Sequence, residues 1–287
     1  MNRIGIIGGS GVYDLPGLTD IRSVRVDTPW GAPSDEVVLG TLGGVGLAFL
    51  ARHGRGHRIA PSQVNYRANI AALKSLGVTD VLSVSAVGSL REDLPPGTIV
   101  VVDQYIDRTV RREASFFEPG LVAHVAMANP VCTRIGQHLL RAVQAQGVAH
   151  AMGGTYVCIE GPQFSTLAES RLYRAWGCDV IGMTNLPEAR LAREAELCYA
   201  SLAMVTDFDC WHPDHDAVTV AAVIKVLLAN ADTARRVIAG LAPALAHDGQ
   251  ASACGCRHAL DHALITAADR RDTAAVERLR GIAGRVL

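Results

Sequence analysis

Short apolar runs alternate with amphipathic stretches along most of the chain. Strand-length runs fall at "RIGIIG" (3–8), "EVVLGTL" (36–42), "GLAFLAR" (46–52), "DVLSVSAV" (80–87), "TIVVVD" (98–103), "GTYVCI" (154–159), "DVIGM" (179–183) and "ELCYASLAMVTD" (196–207). Between them, "PSQVNYRANIAALKSLG" (61–77) and "VCTRIGQHLLRAVQAQG" (131–147) repeat their apolar positions at helical spacing. From about residue 218 onward the pattern is almost wholly helical, interrupted by the polar, glycine-containing "HDGQASACG" (247–255). That order predicts an α/β fold. The runs at 36–42 and 46–52 meet around Gly43-Gly44, which predicts a hairpin and therefore a mixed sheet.

Composition narrows the partners. With 287 residues, 49% of them apolar, the chain can bury a large core and is read as one domain over 1–287. Its 27 basic and 28 acidic residues nearly cancel, and no block of like charge occurs, which argues against nucleic acid and for a small molecule. No run reaches the length of a membrane span and a strand-like run begins at once, so a soluble, cytoplasmic protein is expected. The seven cysteines (Cys132, Cys158, Cys178, Cys198, Cys210, Cys254 and Cys256) mostly lie in apolar segments and read as reduced thiols. "CGC" at 254–256 stands apart; a reduced structural pair is preferred there to a strained redox pair or a metal site with His258.

In α/β folds ligands bind at the carboxyl ends of strands, and five ends here are chemically loaded. "GIIGGSG" runs into a glycine-rich turn with a hydroxyl at Ser10; it fits an anion nest or a plain tight turn, and matches neither a Walker loop nor the dinucleotide fingerprint. Past the next run, Arg52, His53, Arg55, His57 and Arg58 crowd together, as donors for a phosphate or as a solvated basic loop. The intervening glycines argue against a metal pair at His53 and His57. Ser85, Ala86 and Gly88 follow a third run; Met183 and Thr184 leave a fourth. Three hydroxyls, an Arg and a His at strand ends describe a site for a tetrahedral oxyanion. The fifth end, "TDFDCW" (206–211), sets Asp207 and Asp209 two positions apart, which strand periodicity predicts to be one face. Beside Phe208 and Trp211 such acids would be poorly hydrated, which raises their pKa and suits them to hold a proton against a purine edge. Helix capping or a surface ion pair is the plainer use of the same residues.

Taken together, "GIIGGSG", "DTPWGAPSD", "ARHGRGHRIAPSQVNYRANIAALKSLG", "GSLRE", "DQYIDRT", "IEGPQFST", "VIGMTNLPEA" and "CYASLAMVTDFDCW" resemble the S-methyl-5'-thioadenosine phosphorylases, in the trimeric branch of the purine nucleoside phosphorylases. The resemblance is collinear over roughly residues 3 to 245 and thins beyond. It implies a single-domain, three-layer phosphorylase-like fold with a central mixed, partly barrel-like sheet flanked by helices. It implies a pentosyltransferase that uses phosphate as co-substrate, with no metal or organic cofactor, to release adenine and 5-methylthioribose 1-phosphate in purine and methionine salvage. Phosphate would be held at Ser10, Arg52, His53, Ser85, Ala86 and Thr184. Met183 would lie beside the ribose, Phe164 and Ser165 along the base, Asp207 at N7 and Asp209 at the exocyclic amine. Val220, Val223 and Ile224, which share one helical face, would enclose the methylthio group. His124 and Met127 resemble residues that reach a neighbouring subunit's site, so a homotrimer, or a dimer of trimers, is expected. Gly182 departs from animal relatives, which carry Asn there; bacterial relatives tolerate Gly.

The mechanism implied is electrostatic. The ribose becomes oxocarbenium-like, phosphate acts as nucleophile and counter-charge, and Asp207 stabilises the departing purine. An Asn at 207 would suit a 6-oxopurine better, so Asp207 points to adenine. Alternatives are a 6-oxopurine or methylthioinosine phosphorylase, a nucleosidase using water, and a dinucleotide-binding protein.

Overall fold

The computed structural model describes residues 3–9, 14–213, 220–248 and 254–287, with the backbone alone at 220–225, 227–229 and 247. Eleven strands form one mixed sheet: β1 (Arg3–Gly8), β2 (Thr19–Val24), β3 (Val37–Leu42), β4 (Val45–Ala51), β5 (Val78–Ser89), β6 (Ile99–Val102), β7 (Gln104–Arg108), β8 (His150–Met152), β9 (Thr155–Ile159), β10 (Val180–Gly182) and β11 (Cys198–Asp207). Among the described residues six helices accompany them: α1 (Tyr66–Ser75), α2 (Thr133–Gln144), α3 (Leu167–Ala175), α4 (Asn185–Glu194), α5 (Val220–Asp248) and α6 (Thr273–Ala283).

The long strand β5 organises the sheet. It pairs in parallel with β1 on one edge and β11 on the other, and its last residues, Gly88 and Ser89, pair antiparallel with β10. Asp103 alone separates β6 from β7, and Gly153-Gly154 alone separates β8 from β9. Both glycines have positive φ, 83° and 133°, and Asp103 Oδ1 accepts from Gly154 N–H at 3.0 Å, so the two strand pairs bend together. β11 pairs with β6, β6 with β8, β7 with β9, β9 with β10, and β10 returns to β5. That circuit is the barrel-like part of the sheet. The remaining strands extend it as an open wing, β5–β1–β4–β3–β2.

Strand alternation divides the core into two layers. Val81, Val87, Tyr199, Ala203 and Val205 face a core shared with α1, α4 and α6. Leu82, Val84, Ala200, Leu202 and Met204 face the other, shared with α2 and α5. The sheet is thus covered on both sides, as the three-layer expectation has it.

The Gly43-Gly44 hairpin forms as expected, with φ of 56° and 81°. Three strands are not evident in the sequence pattern. β2 is a polar edge strand, β8 has three residues, and β7 is hidden because the chain bends at Asp103 instead of stopping. The helical expectation past 218 fails over 254–272, apart from two short 3-10 turns. There the backbone bonds at long range: Ile265 N–H donates to Val122 O, and His124 N–H to Ala263 O, both at 2.9 Å. These cross-chain bonds fix an extended path that helical propensity alone would not choose.

Helix α6 sends Ala275, Leu279 and Ile282 into the same core as α1, which is why we treat the C-terminal segment as part of one folding unit. Leu279→Ala is expected to cost about 2–5 kcal/mol and to shift a single denaturant transition. A separate, earlier transition with an unmoved main one would show that residues beyond 254 fold apart.

Candidate functional site

At the end of β4, Arg52 is 2% exposed. Its Nε donates to Glu188 Oε2 at 2.8 Å and Nη2 to Glu188 Oε1 at 3.0 Å, a bidentate pair. Nη2 also donates to Ser83 Oγ and approaches Ile7 O, and Nη1 donates to Val84 O. Burial alone would lower the pKa of Arg52; the Glu188 carboxylate more than reverses that and leaves it raised. Of the five guanidinium N–H groups, one on Nη1 has no partner among the described residues. Arg52 is therefore a fixed, charge-compensated donor and not a bare cation.

His53 departs from its expected role. Its Nδ1 lies 2.8 Å from Ile59 O, so Nδ1 carries the proton. Burial, then the adjacent Arg52, pushes its pKa down to about 4, and the ring is neutral at neutral pH. The free nitrogen, Nε2, is then an acceptor, whereas the sequence reading made His53 a donor. The rings of His53 and His57 stack with centroids 4.3 Å apart.

The hydroxyls follow. Ser85 is buried on β5, and its Oγ has no hydrogen-bond partner among the described residues; Ala86 beside it is partly exposed. Thr184, also buried, is the N-cap of α4, and its N–H lies 3.4 Å from the Tyr156 hydroxyl. That hydroxyl explains Gly182. A Cβ at 182 would stand 2.0 Å from Tyr156 Oη, so the tyrosine fills the space a side chain would need. Met183 closes over Gly161, where an added Cβ would meet its Sδ at 2.5 Å. Ser10 lies outside the described residues. Val220, Val223 and Ile224 lie in the first turns of α5, with their side chains outside the description.

The acids meet, though by a different route from the one expected. β11 ends at Asp207, and Asp209 has φ 52°, in the left-handed region that Asp tolerates. The turn, not strand alternation, brings Asp209 back. Asp207 accepts from Asp209 N–H at 2.8 Å and from Thr206 Oγ1 at 2.7 Å. Both side chains crowd over Gly88: a Cβ there would be 2.8 Å from Asp207 Oδ1 and 3.3 Å from Asp209 Cβ. Burial raises the pKa of each, and for Asp209 the charge of Asp207 adds to the rise. Trp211 donates to Ser89 O and lies under the Arg174 guanidinium, 3.5 Å from the ring centroid.

Ser165 joins this end through its carbonyl, which accepts from Cys210 Sγ at 3.4 Å, while its own Oγ is buried without a partner among the described residues. Phe164 is 45% exposed. His124 is exposed and Met127 partly so, on a loop that bonds to the C-terminal segment through His124 N–H and to the start of β7 through Ala128 O, which accepts from Gln104 Nε2 at 3.1 Å.

Two residues here were not singled out from sequence. Glu188 is fully buried, and accepts from Tyr199 as well as Arg52. Arg112 donates to Met183 O, Leu186 O, Glu160 O and Glu160 Oε1, and so holds the "GPQFS" loop against the start of α4. Neither carries a local signal: Glu188 sits in a helix and Arg112 in a polar loop, and only the fold joins them to the site.

With this geometry in hand, the comparisons are specific. A family model described as the Phosphorylase superfamily matches residues 3–243. An S-methyl-5'-thioadenosine phosphorylase from Rhodospirillum rubrum is 58% identical over 284 residues, covering 99% of this chain and 97% of the relative. One from Bradyrhizobium diazoefficiens is 57% identical, covering 99% and 98%. Among solved structures, a methylthioadenosine phosphorylase sourced from an antarctic soil metagenomic library superposes with a TM-score of 0.92 at 51% identity, covering 98% of each chain. A variant of the adenosine/methylthioadenosine phosphorylase of Schistosoma mansoni, in complex with methylthioadenosine, gives 0.82 at 39% identity, covering 90% of this chain and 96% of that one.

The Arg52–Glu188 pair yields a stability test. Glu188→Gln strands a buried guanidinium and is expected to cost about 3–5 kcal/mol, whereas the double replacement Arg52→Met with Glu188→Leu should recover most of that loss. Urea titration of the three proteins checks it. A double variant no more stable than Glu188→Gln would mean that Arg52 contributes chiefly through its other bonds.

Proposed function

The chain belongs to the phosphorylase superfamily, among the S-methyl-5'-thioadenosine phosphorylases, and from that premise we propose how its strand ends divide the work. The reaction is phosphorolysis of S-methyl-5'-thioadenosine to adenine and 5-methylthioribose 1-phosphate. What carries our reading of the site is the pair of buried acids, Asp207 and Asp209, whose side chains crowd over Gly88 and whose turn is closed by Asp209 N–H on Asp207.

Phosphate takes the unpartnered Arg52 Nη1–H, the Ser85 and Thr184 hydroxyls, the Ala86 N–H and Ser10. The orphaned Ser85 Oγ supports this, since a buried hydroxyl without a partner is costly unless a ligand supplies one. His53 Nε2, an acceptor, pairs with the protonated oxygen of hydrogen phosphate. Because Glu188 compensates Arg52, the anion is held mostly by neutral, pre-oriented donors. Such donors resist reorganisation as charge develops.

As the glycosidic bond stretches, phosphate beneath the ribose balances the oxocarbenium charge. Met183 lies against the sugar, with Phe164 and Ser165 beside the base. Asp207 shares a proton with N7 of the departing purine and Asp209 accepts from the exocyclic amine. Their burial supports this role, because it favours the protonated carboxyl. Val220, Val223 and Ile224 enclose the methylthio group. No metal or organic cofactor enters the reaction.

His124, exposed, and Met127, partly exposed, complete the site of an adjoining copy in a homotrimer, or a dimer of trimers. Among the described residues no helix is long and apolar enough to cross a membrane, which agrees with a cytoplasmic enzyme.

Adenine release from methylthioadenosine should require phosphate. Release without phosphate would make the protein a hydrolase, and cleavage of methylthioinosine alone would mean that the two acids face something other than an amine. Asp207→Asn should lower turnover by ~10²–10⁴-fold and shift the residual preference toward 6-oxopurine nucleosides.

The same variant has a signature in stability. A folded pKa above the ordinary 3.8 means that Asp207 contributes stability below that value and loses it as pH rises through the folded pKa. Asp207→Asn removes this loss. The variant's stability relative to the parent should therefore increase with pH across that window, measured by denaturation at several pH values. A parallel shift at every pH would show that Asp207 is not buried against its charge.

A further inference from the structure

A second cluster lies outside the nucleoside site. The Sγ atoms of Cys132, Cys198, Cys254 and Cys256 all lie within 4.8 Å of one another. Three elements supply them: Cys132 is the N-cap of α2, Cys198 opens β11, and Cys254 and Cys256 flank Gly255. Gly255 has φ 70°, which turns the chain so that both flanking sulphurs face inward. Cys132, Cys198 and Cys256 are each 2% exposed or less. No disulfide is formed among the described residues.

We propose that these four cysteines form a structural zinc site. In a tetrahedral tetrathiolate the Zn–S bonds are about 2.3 Å, which sets sulphurs about 3.8 Å apart. Cys198 Sγ and Cys254 Sγ are already 3.5 Å apart, and the longest separation needs to close by about 1 Å to meet that geometry. Two disulfides would draw the sulphurs into two tight pairs; four mutually close sulphurs are the pattern of a single central ion.

The surroundings match the charge. Four thiols binding Zn²⁺ release four protons and leave a net charge of −2. Arg134 has Cys198 and Cys132 among its electrostatic neighbours and pairs with Asp80; its Nε and Nη1 are buried without a hydrogen-bond partner among the described residues. Arg257 follows Cys256 directly; its Nη2 faces the same Asp80 at ion-pair distance, 3.9 Å, and neither its Nε nor its Nη2 has a hydrogen-bond partner among the described residues. These guanidinium edges are the N–H donors that a tetrathiolate centre uses to offset its charge. His258, the third ligand considered from the sequence, instead turns to solvent and pairs with Asp261.

The site has a structural consequence. It ties the segment that begins at Cys254 to the start of β11 and to α2. That segment in turn pairs with the loop at 122–124 and carries α6 into the core. Zinc would act as a staple for the C-terminal strap.

The test is metal analysis of the full-length protein, purified under reducing conditions from zinc-supplemented cells. About one zinc per chain is expected, together with tetrahedral cobalt(II) spectra showing thiolate charge transfer after exchange. Removing the metal with a strong chelator should lower the unfolding midpoint by about 5 °C or more. Cys254→Ser, at the least buried of the four positions, should lose the zinc while retaining phosphate-dependent adenine release below that midpoint. If that variant does not fold, metal content and the cobalt spectrum of the parent still decide. A metal-free chain that binds neither ion, a mass two hydrogens lighter per cysteine pair under non-reducing conditions, or iron in place of zinc would each overturn the proposal.

Discussion

The buried pair of Arg52 and Glu188 is the interaction on which the site's construction rests. Through it one side chain touches the end of β1 at Ile7, the middle of β5 at Ser83 and Val84, and the first turn of α4 at Glu188, and the carboxylate reaches β11 through Tyr199. Two desolvated charges are tolerated only because nearly every donor and acceptor is matched. The geometry is consequently unforgiving: a strand end that moved would leave part of the network unpaired. The pair is expensive as a stabiliser and effective as a jig.

Glycine does comparable work where side chains must be absent. Gly88 leaves room beside β5 for the side chains of Asp207 and Asp209, and Gly182 leaves room for the Tyr156 ring beside Thr184. At 182 the absence of a side chain has a physical account in this chain. The tyrosine hydroxyl occupies the position where an Asn side chain would begin, so a polar group is still present beneath Met183 and Thr184, delivered from β9 instead of β10.

Much of this was readable in the sequence, because the strongest strand signals are also the central strands and because α/β architecture puts ligands at their ends. The roll call of Arg52, Thr184 and Asp207 follows from that rule, whereas Ser85, expected just past a strand, lies within β5, which runs on to Ser89. What stayed hidden depends on the fold. The strands β2 and β8 carry little apolar pattern, and β7 continues a bent strand. The tautomer of His53 is set by a carbonyl at Ile59, and the approach of Asp209 by a left-handed residue and not by strand period. The four-cysteine cluster joins positions up to 124 residues apart, a distance no local motif spans.

The two ends of the site treat charge in opposite ways. Arg52 is neutralised by a partner the protein supplies, whereas Asp207 and Asp209 are buried with only neutral donors, and no ion pair joins either to a described cation. A fold selecting for stability alone would not leave two acids in that state, since burial without a counter-charge disfavours their ionised form. The arrangement gains sense when the ligand is counted. In the role proposed for them, the leaving purine brings an amine and takes up a proton at N7 as negative charge collects on the ring, and burial that raises the pKa of both carboxyls favours that exchange. A lysine or arginine beside Asp207 would have stabilised the empty site and depressed the very pKa on which proton sharing depends. Neutral donors fix the carboxylates in place without discharging them.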